Sequence, residues 1–200
     1  MIPTAPLRVR NRLTEIILAA LEDTGARREL TELTRADADP PGWLEKDERD
    51  YLRLVRERAQ RASRALADRP VCRIRSRSEA LDAAAALFDA HLYFEVHEWL
   101  EPYWRDARGE DREPLQGVIQ VAVGYQHLAN GNLAGARALL EEGRARLIGR
   151  SLDGLDLDAF TTGVARSLDR LVPFDWRRVP SFPTRTPAAG STAERRSRES

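Results

Sequence analysis

A chain of 200 residues with 32 basic and 32 acidic side chains has no formal net charge, so no global field steers it to nucleic acid or membrane. The lone cysteine, Cys72, excludes an internal disulfide or a thiolate metal site of its own and suits a reducing, cytoplasmic setting. No apolar run approaches the roughly 20 residues of a membrane span.

The periodicity predicts a first amphipathic helix over 8–22, with Leu13, Ile16, Ile17, Ala20 and Leu21 on one side and Gly25 as its stop. The run Ile16–Leu21 is short, lies between Glu15 and Glu22 and has no small-residue cleavage site, so it reads as a helix and not a signal peptide. Asp39-Pro40-Pro41-Gly42 places a loop over 34–46. A second helix is expected over 47–68, with a narrow stripe of Leu52, Val55, Ala59, Ala62 and Leu66 and an opposite side of Arg53, Arg56, Arg61 and Arg64. Nine arginines fall between 53 and 77, but no stacking aromatics accompany them, so nucleic acid is not the expected partner. Arg69-Pro70 ends this N-terminal extension, taken as residues 1–75.

Ser78 and Glu79 open a third helix that runs into Phe88–Trp104, and Pro102 is expected to kink or end it near Glu101. A fourth, over 112–130, is apolar nearly all round, which marks a buried helix. Its Gly117 and Gly124 lie seven apart on one seam, and Gln116, Gln120 and His127 form a single polar line. Asn130-Gly131-Asn132 is a tight turn into a fifth helix that Gly149 stops, and a sixth spans 156–171. The fold class is therefore all-α: a bundle of four core helices (78–106, 112–130, 132–148, 156–171) in a domain over 76–172, with two more helices at its N-terminus. Residues 173–200 read as a disordered tail, dispensable for folding from 178 onward. Repeats and strand-period segments are not visible.

Phe88–Trp104 concentrates the chemistry. It sets Phe88, Tyr93, Phe94, Trp99, Tyr103 and Trp104 around His91, His97, Glu95, Glu98 and Glu101. In helical register His97 and Glu101 share a face, while Glu98 points about 100° from His97. The order Tyr93-Phe94-Glu95-x-His97-Glu98-x-Leu100-Glu101-x-x-Trp104, then Leu115-Gln116-Gly117-x-Ile119-Gln120-x-Ala122, His127, Gly131-Asn132 and Gly135-Ala136, resembles the small all-helical prokaryotic proteins grouped as domain of unknown function 309. The resemblance covers roughly 80–171 and implies a compact helical fold without an established activity, substrate or cofactor. At His91 that family pattern has a glycine.

Four readings of the cluster follow. His97 and Glu101 can ligate zinc, manganese or iron, with Glu98 as base or orienting partner, His127 arriving from the fourth helix, and Gln116 and Gln120 holding water or substrate. Without a metal, Glu95, Glu98 and His127 are the acid–base candidates. A structural network would instead use the same groups to satisfy the Gln116–Gln120–His127 line across the third and fourth helices. A small-ligand pocket is the fourth. The rival to any such site is a non-catalytic interaction module, with a small molecule, a protein or a second copy of the chain as partner.

Overall fold

The computed structural model describes residues 5–183 and 185. Eight α-helices are present among them: α1 (Leu7–Ala19), α2 (Thr24–Glu32), α3 (Leu52–Ala65), α4 (Arg77–Asp89), α5 (Tyr93–Asp106), α6 (Arg112–Ala129), α7 (Leu133–Leu147) and α8 (Leu157–Leu168). No helix of the described residues is long and apolar enough to cross a membrane. The chain is an all-α bundle, as its periodicity predicts, but with different breaks.

Gly25 does not stop a helix. It occupies the first turn of α2, whose start is set by Asp23 accepting a hydrogen bond from the Ala26 N–H at 2.7 Å. The helix expected over 47–68 begins as a 3-10 turn at Lys46–Tyr51 before settling into α3. Pro102 sits inside α5, which continues four residues beyond it to Asp106.

The expected third helix is two helices, divided at His91. Leu92 N–H bonds to the Leu87 carbonyl at 2.9 Å and His91 N–H to that of Phe88 at 2.8 Å. This pair of bonds closes a helix through a left-handed residue, and His91 supplies it with φ of 60°. The α6–α7 turn is built alike: Asn132 N–H bonds to the His127 carbonyl at 2.9 Å, Gly131 N–H to that of Leu128 at 3.0 Å, and Gly131 has φ of 77°. The chain thus contains two helical hairpins with corresponding turns, a repetition that their dissimilar side chains hide in the sequence.

One apolar core runs through all of this. It joins Val9, Ile16 and Ile17 of α1, Val55 and Ala62 of α3, Leu87 and Phe88 of α4, Val96 and Leu100 of α5, Val118 and Tyr125 of α6, Leu140 of α7 and Phe160 and Val164 of α8. α6 approaches α7 closely along the glycine seam. A Cβ on Gly143 would stand 2.8 Å from the Gly117 carbonyl and 2.9 Å from the Val121 nitrogen, both backbone atoms that move only if the helices separate. Gly143→Ala is therefore expected to cost about 1–3 kcal/mol despite the better helix propensity of alanine. Gly42→Ala, where a Cβ meets nothing within 4 Å, is the control in the same melting experiment.

The C-terminal segment departs from expectation at its start. Phe182 is buried, its N–H donates to Asp89 at 2.8 Å, and Arg185 pairs with Asp82 and donates to the Ser78 carbonyl at 2.8 Å. Val179 and Phe182, too few to hold a tail by count alone, bind because α4 and α8 leave a seat for the phenylalanine beside Phe88 and Phe160. Residues 186–200 lie outside the described residues. Truncation after Arg177 is now expected to lower the melting temperature by about 4–8 °C, the loss of one buried phenylalanine in a chain of this size. An unchanged melt would show that the seat carries no stability.

Candidate functional site

The α4–α5 turn sets the register of α5 and thereby sorts its polar residues. Tyr93, Glu95, Val96 and Leu100 go inward; His97, Glu98 and Glu101 stay partly exposed. The seven polar residues expected to form one cluster occupy three separate settings.

Glu95 is wholly buried. Its carboxylate accepts from Arg58 Nε at 2.9 Å and Nη2 at 2.5 Å, and from the Thr14 hydroxyl at 3.2 Å. An α5 acid is thus held by α3 and α1, and its oxygens are spent on binding the N-terminal helices to the rest. Arg58 was not singled out from sequence. A signal existed, because Arg58 is three residues after Val55 and four before Ala62, on the edge of the apolar stripe. An arginine at that place needs a buried acid.

Gln120 and His127 turn to α7, not to α5. Gln120 donates to Glu142 at 2.9 Å and accepts from Arg146 Nε at 2.9 Å. His127 Nδ1 lies 2.8 Å from Asn132 Nδ2. The Asn132 oxygen already accepts the Gly135 N–H at 3.0 Å, so its nitrogen donates and His127 Nδ1 accepts. His127 locks the α6–α7 turn, and a Cβ at Gly135 would come within 2.4 Å of its Nδ1. The expectation that this line meets the acids of the preceding helix is corrected by the glycine seam: Gln120 and His127 are each three residues past a seam glycine, about 60° away on the wheel, and so border whichever helix packs there. Gln116 is half-buried on the same helix.

His97, Glu98 and Glu101 do come together. His97 Nδ1 is 3.1 Å from Glu98 Oε1, and Nε2 is 3.7 Å from Glu101 Oε2. One donor atom from each lies within 4.8 Å of the others, the group of three potential metal ligands found among the described residues. Glu98 is not turned away as its wheel position suggests, because its side chain folds back onto the imidazole. Arg105 holds the other Glu101 oxygen at 2.6 Å. The side chains are 29–39% exposed, so small molecules and ions reach them. Among the described residues none of the three bonds to another helix. The interhelical bonding that accounts for Glu95 and Gln120 does not account for them.

Fold and site together define a helical-bundle protein with a half-exposed imidazole–carboxylate cluster on its fifth helix. Residues 81–139 match the model of the family described as Domain of unknown function (DUF309), and over that stretch the chain is similar to this family. The matched segment starts in α4, ends in α7 and contains every residue of the cluster. No curated protein and no solved structure matches the chain.

Proposed function

We propose that this protein is a cytosolic divalent-cation-binding domain, with His97 and Glu101 as ligands and Glu98 as the residue that orients His97. The observation that carries the reading is the position of the imidazole between two carboxylates. His97 Nδ1 stands 3.1 Å from Glu98 Oε1 and Nε2 3.7 Å from Glu101 Oε2, so with the ring proton on Nδ1, beside Glu98, the lone pair of Nε2 is left toward Glu101. Imidazole and carboxylate donors suit zinc, manganese or iron, and the exposed side leaves coordination positions for water or a substrate oxygen. This reading gives no acid–base role to Glu95, whose carboxylate accepts from Arg58 and Thr14, or to His127, whose Nδ1 accepts from Asn132. Glu98 is the residue that would serve as base if an ion were bound.

Titration of the metal-free protein with Zn2+ and Mn2+ by calorimetry tests it. Saturable binding of one ion per chain is expected. His97→Ala should abolish it, and Glu98→Gln should weaken it about 10–100-fold, the usual effect of removing a partner of a ligating histidine. Arg105→Ala should tighten binding, because it releases Glu101 from a competing cation. Equal binding by wild type and His97→Ala would overturn the assignment and leave a non-catalytic interaction module as the better reading.

A further inference from the structure

A cavity of about 1040 Å³ opens between the N-terminal helices and the α4–α5 turn, on residues the proposed cation site does not use. Its walls include Val9 and Leu13 of α1, Leu54 and Val55 of α3, Phe94 of α5 and Trp176 beyond α8. Four arginines line it: Arg10, Arg58, Arg61 and Arg64. Arg58 is neutralised by Glu95. Arg61 and Arg64 pair with no carboxylate and donate no hydrogen bond to any group among the described residues, and Arg10 lies over the Phe94 ring with no acid partner there. Of the two acids on the lining, Glu57 is paired with Arg53 at 2.8 Å, while Asp89 accepts the neutral Phe182 N–H and keeps its charge. Arg10, Arg61 and Arg64 against Asp89 leave the charge around the cavity net positive.

The turn residue points the same way. A left-handed backbone at His91 strains any residue with a Cβ, and the corresponding residue of the second hairpin is Gly131. The histidine is nevertheless present, and it carries its ring into the cavity wall, 5.6 Å from the Tyr93 ring and 5.9 Å from Trp176. The neighbouring Tyr93 hydroxyl is closed off without a hydrogen-bond partner among the described residues. A large cavity, aromatic faces, unpaired guanidinium groups and a strained residue on its wall are the features of a ligand site, and a solvated arginine face shares none but the charge.

We infer that this cavity binds an anionic small molecule with an aromatic or apolar body, its charged group held by Arg61 and Arg64 at the mouth with Arg10 beside them, and its body seated against Phe94, His91 and Trp176. Guanidinium groups favour carboxylate, sulfonate or phosphate, and the rings supply the surface for the body. The site is independent of the cation cluster, since His97, Glu98 and Glu101 do not line it.

The test uses two fluorescent probes of similar shape, the anionic 8-anilinonaphthalene-1-sulfonate and the neutral N-phenyl-1-naphthylamine, on the full-length protein. Saturable binding of the sulfonate at one site is expected. Arg61→Ala/Arg64→Ala should weaken it at least tenfold and change binding of the neutral probe less than twofold; Arg137→Ala, an exposed arginine on α7, should change neither. Both cavity arginines are exposed, so the double variant keeps the wild-type melting temperature and circular dichroism. His91→Gly should weaken both probes without lowering the melt, because it relieves the backbone while removing the ring. Unchanged sulfonate binding in the double variant, or equal losses for both probes, would overturn the inference.

Discussion

Phe88→Ala is expected to be the most damaging single truncation in this protein, at about 3–5 kcal/mol. Phe88 has no exposed surface, and four rings meet it edge-on: Tyr93 at 5.2 Å, Phe160 and Phe182 at 5.6 Å and Tyr125 at 5.9 Å. Those rings come from α5, α8, the C-terminal segment and α6. Removing the central ring opens a cavity that four separately anchored elements cannot close together, and it also removes edge-to-face terms of about 0.5–1.5 kcal/mol each. Denaturant unfolding measures the loss, with Phe174→Ala, a half-buried ring at the margin of the group, as the comparison. A loss below about 1.5 kcal/mol for Phe88→Ala would mean that the helices do not close on this residue.

Glu95→Ala is expected to cost about 3 kcal/mol, the lower end of the range for breaking a buried ion pair. The carboxylate is fully enclosed, while the Arg58 side chain keeps 21% exposure, so water partly relieves the orphaned cation. The variant also strips the Thr14 hydroxyl of its acceptor. Replacing both partners with apolar residues, Arg58→Met with Glu95→Leu, should recover most of the loss, since the penalty lies in the unpaired charge and not in the absence of the bridge. Because the pair joins α3 to α5, Glu95→Ala should speed proteolysis in the 34–46 loop more than in the α6–α7 turn. A double variant as unstable as the single one would contradict this account.

Much of the architecture was legible from spacing. The helical period places the inward face of α1 correctly, with Leu13, Ile16 and Ile17 all buried, and that of α3 at Val55, Ala59 and Ala62 while Leu52 is only partly buried; Gly117 and Gly124 do allow a close helix approach. Local chemistry was harder to read. Gly25 breaks helices in general but is harmless in the first turn of α2, where Asp23 has already organised the start. His91 conceals a turn because a histidine rarely takes a left-handed backbone, whereas Gly131 announces the equivalent turn at once.

The candidate site divides along the same line. By itself the sequence determined that His97 and Glu101 share a helix face, because four residues of α-helix bring two side chains together whatever surrounds them. Only the tertiary structure decided what the other polar groups meet. Glu95 is claimed by Arg58, distant by 37 residues, and Gln120 by Glu142 and Arg146 on α7. The cavity likewise exists only because α1 and α3 stand against the α4–α5 turn. Within one helix, partners are dictated by the 3.6-residue period; between helices they depend on which faces pack, and here a seam of glycines and one buried ion pair made that choice.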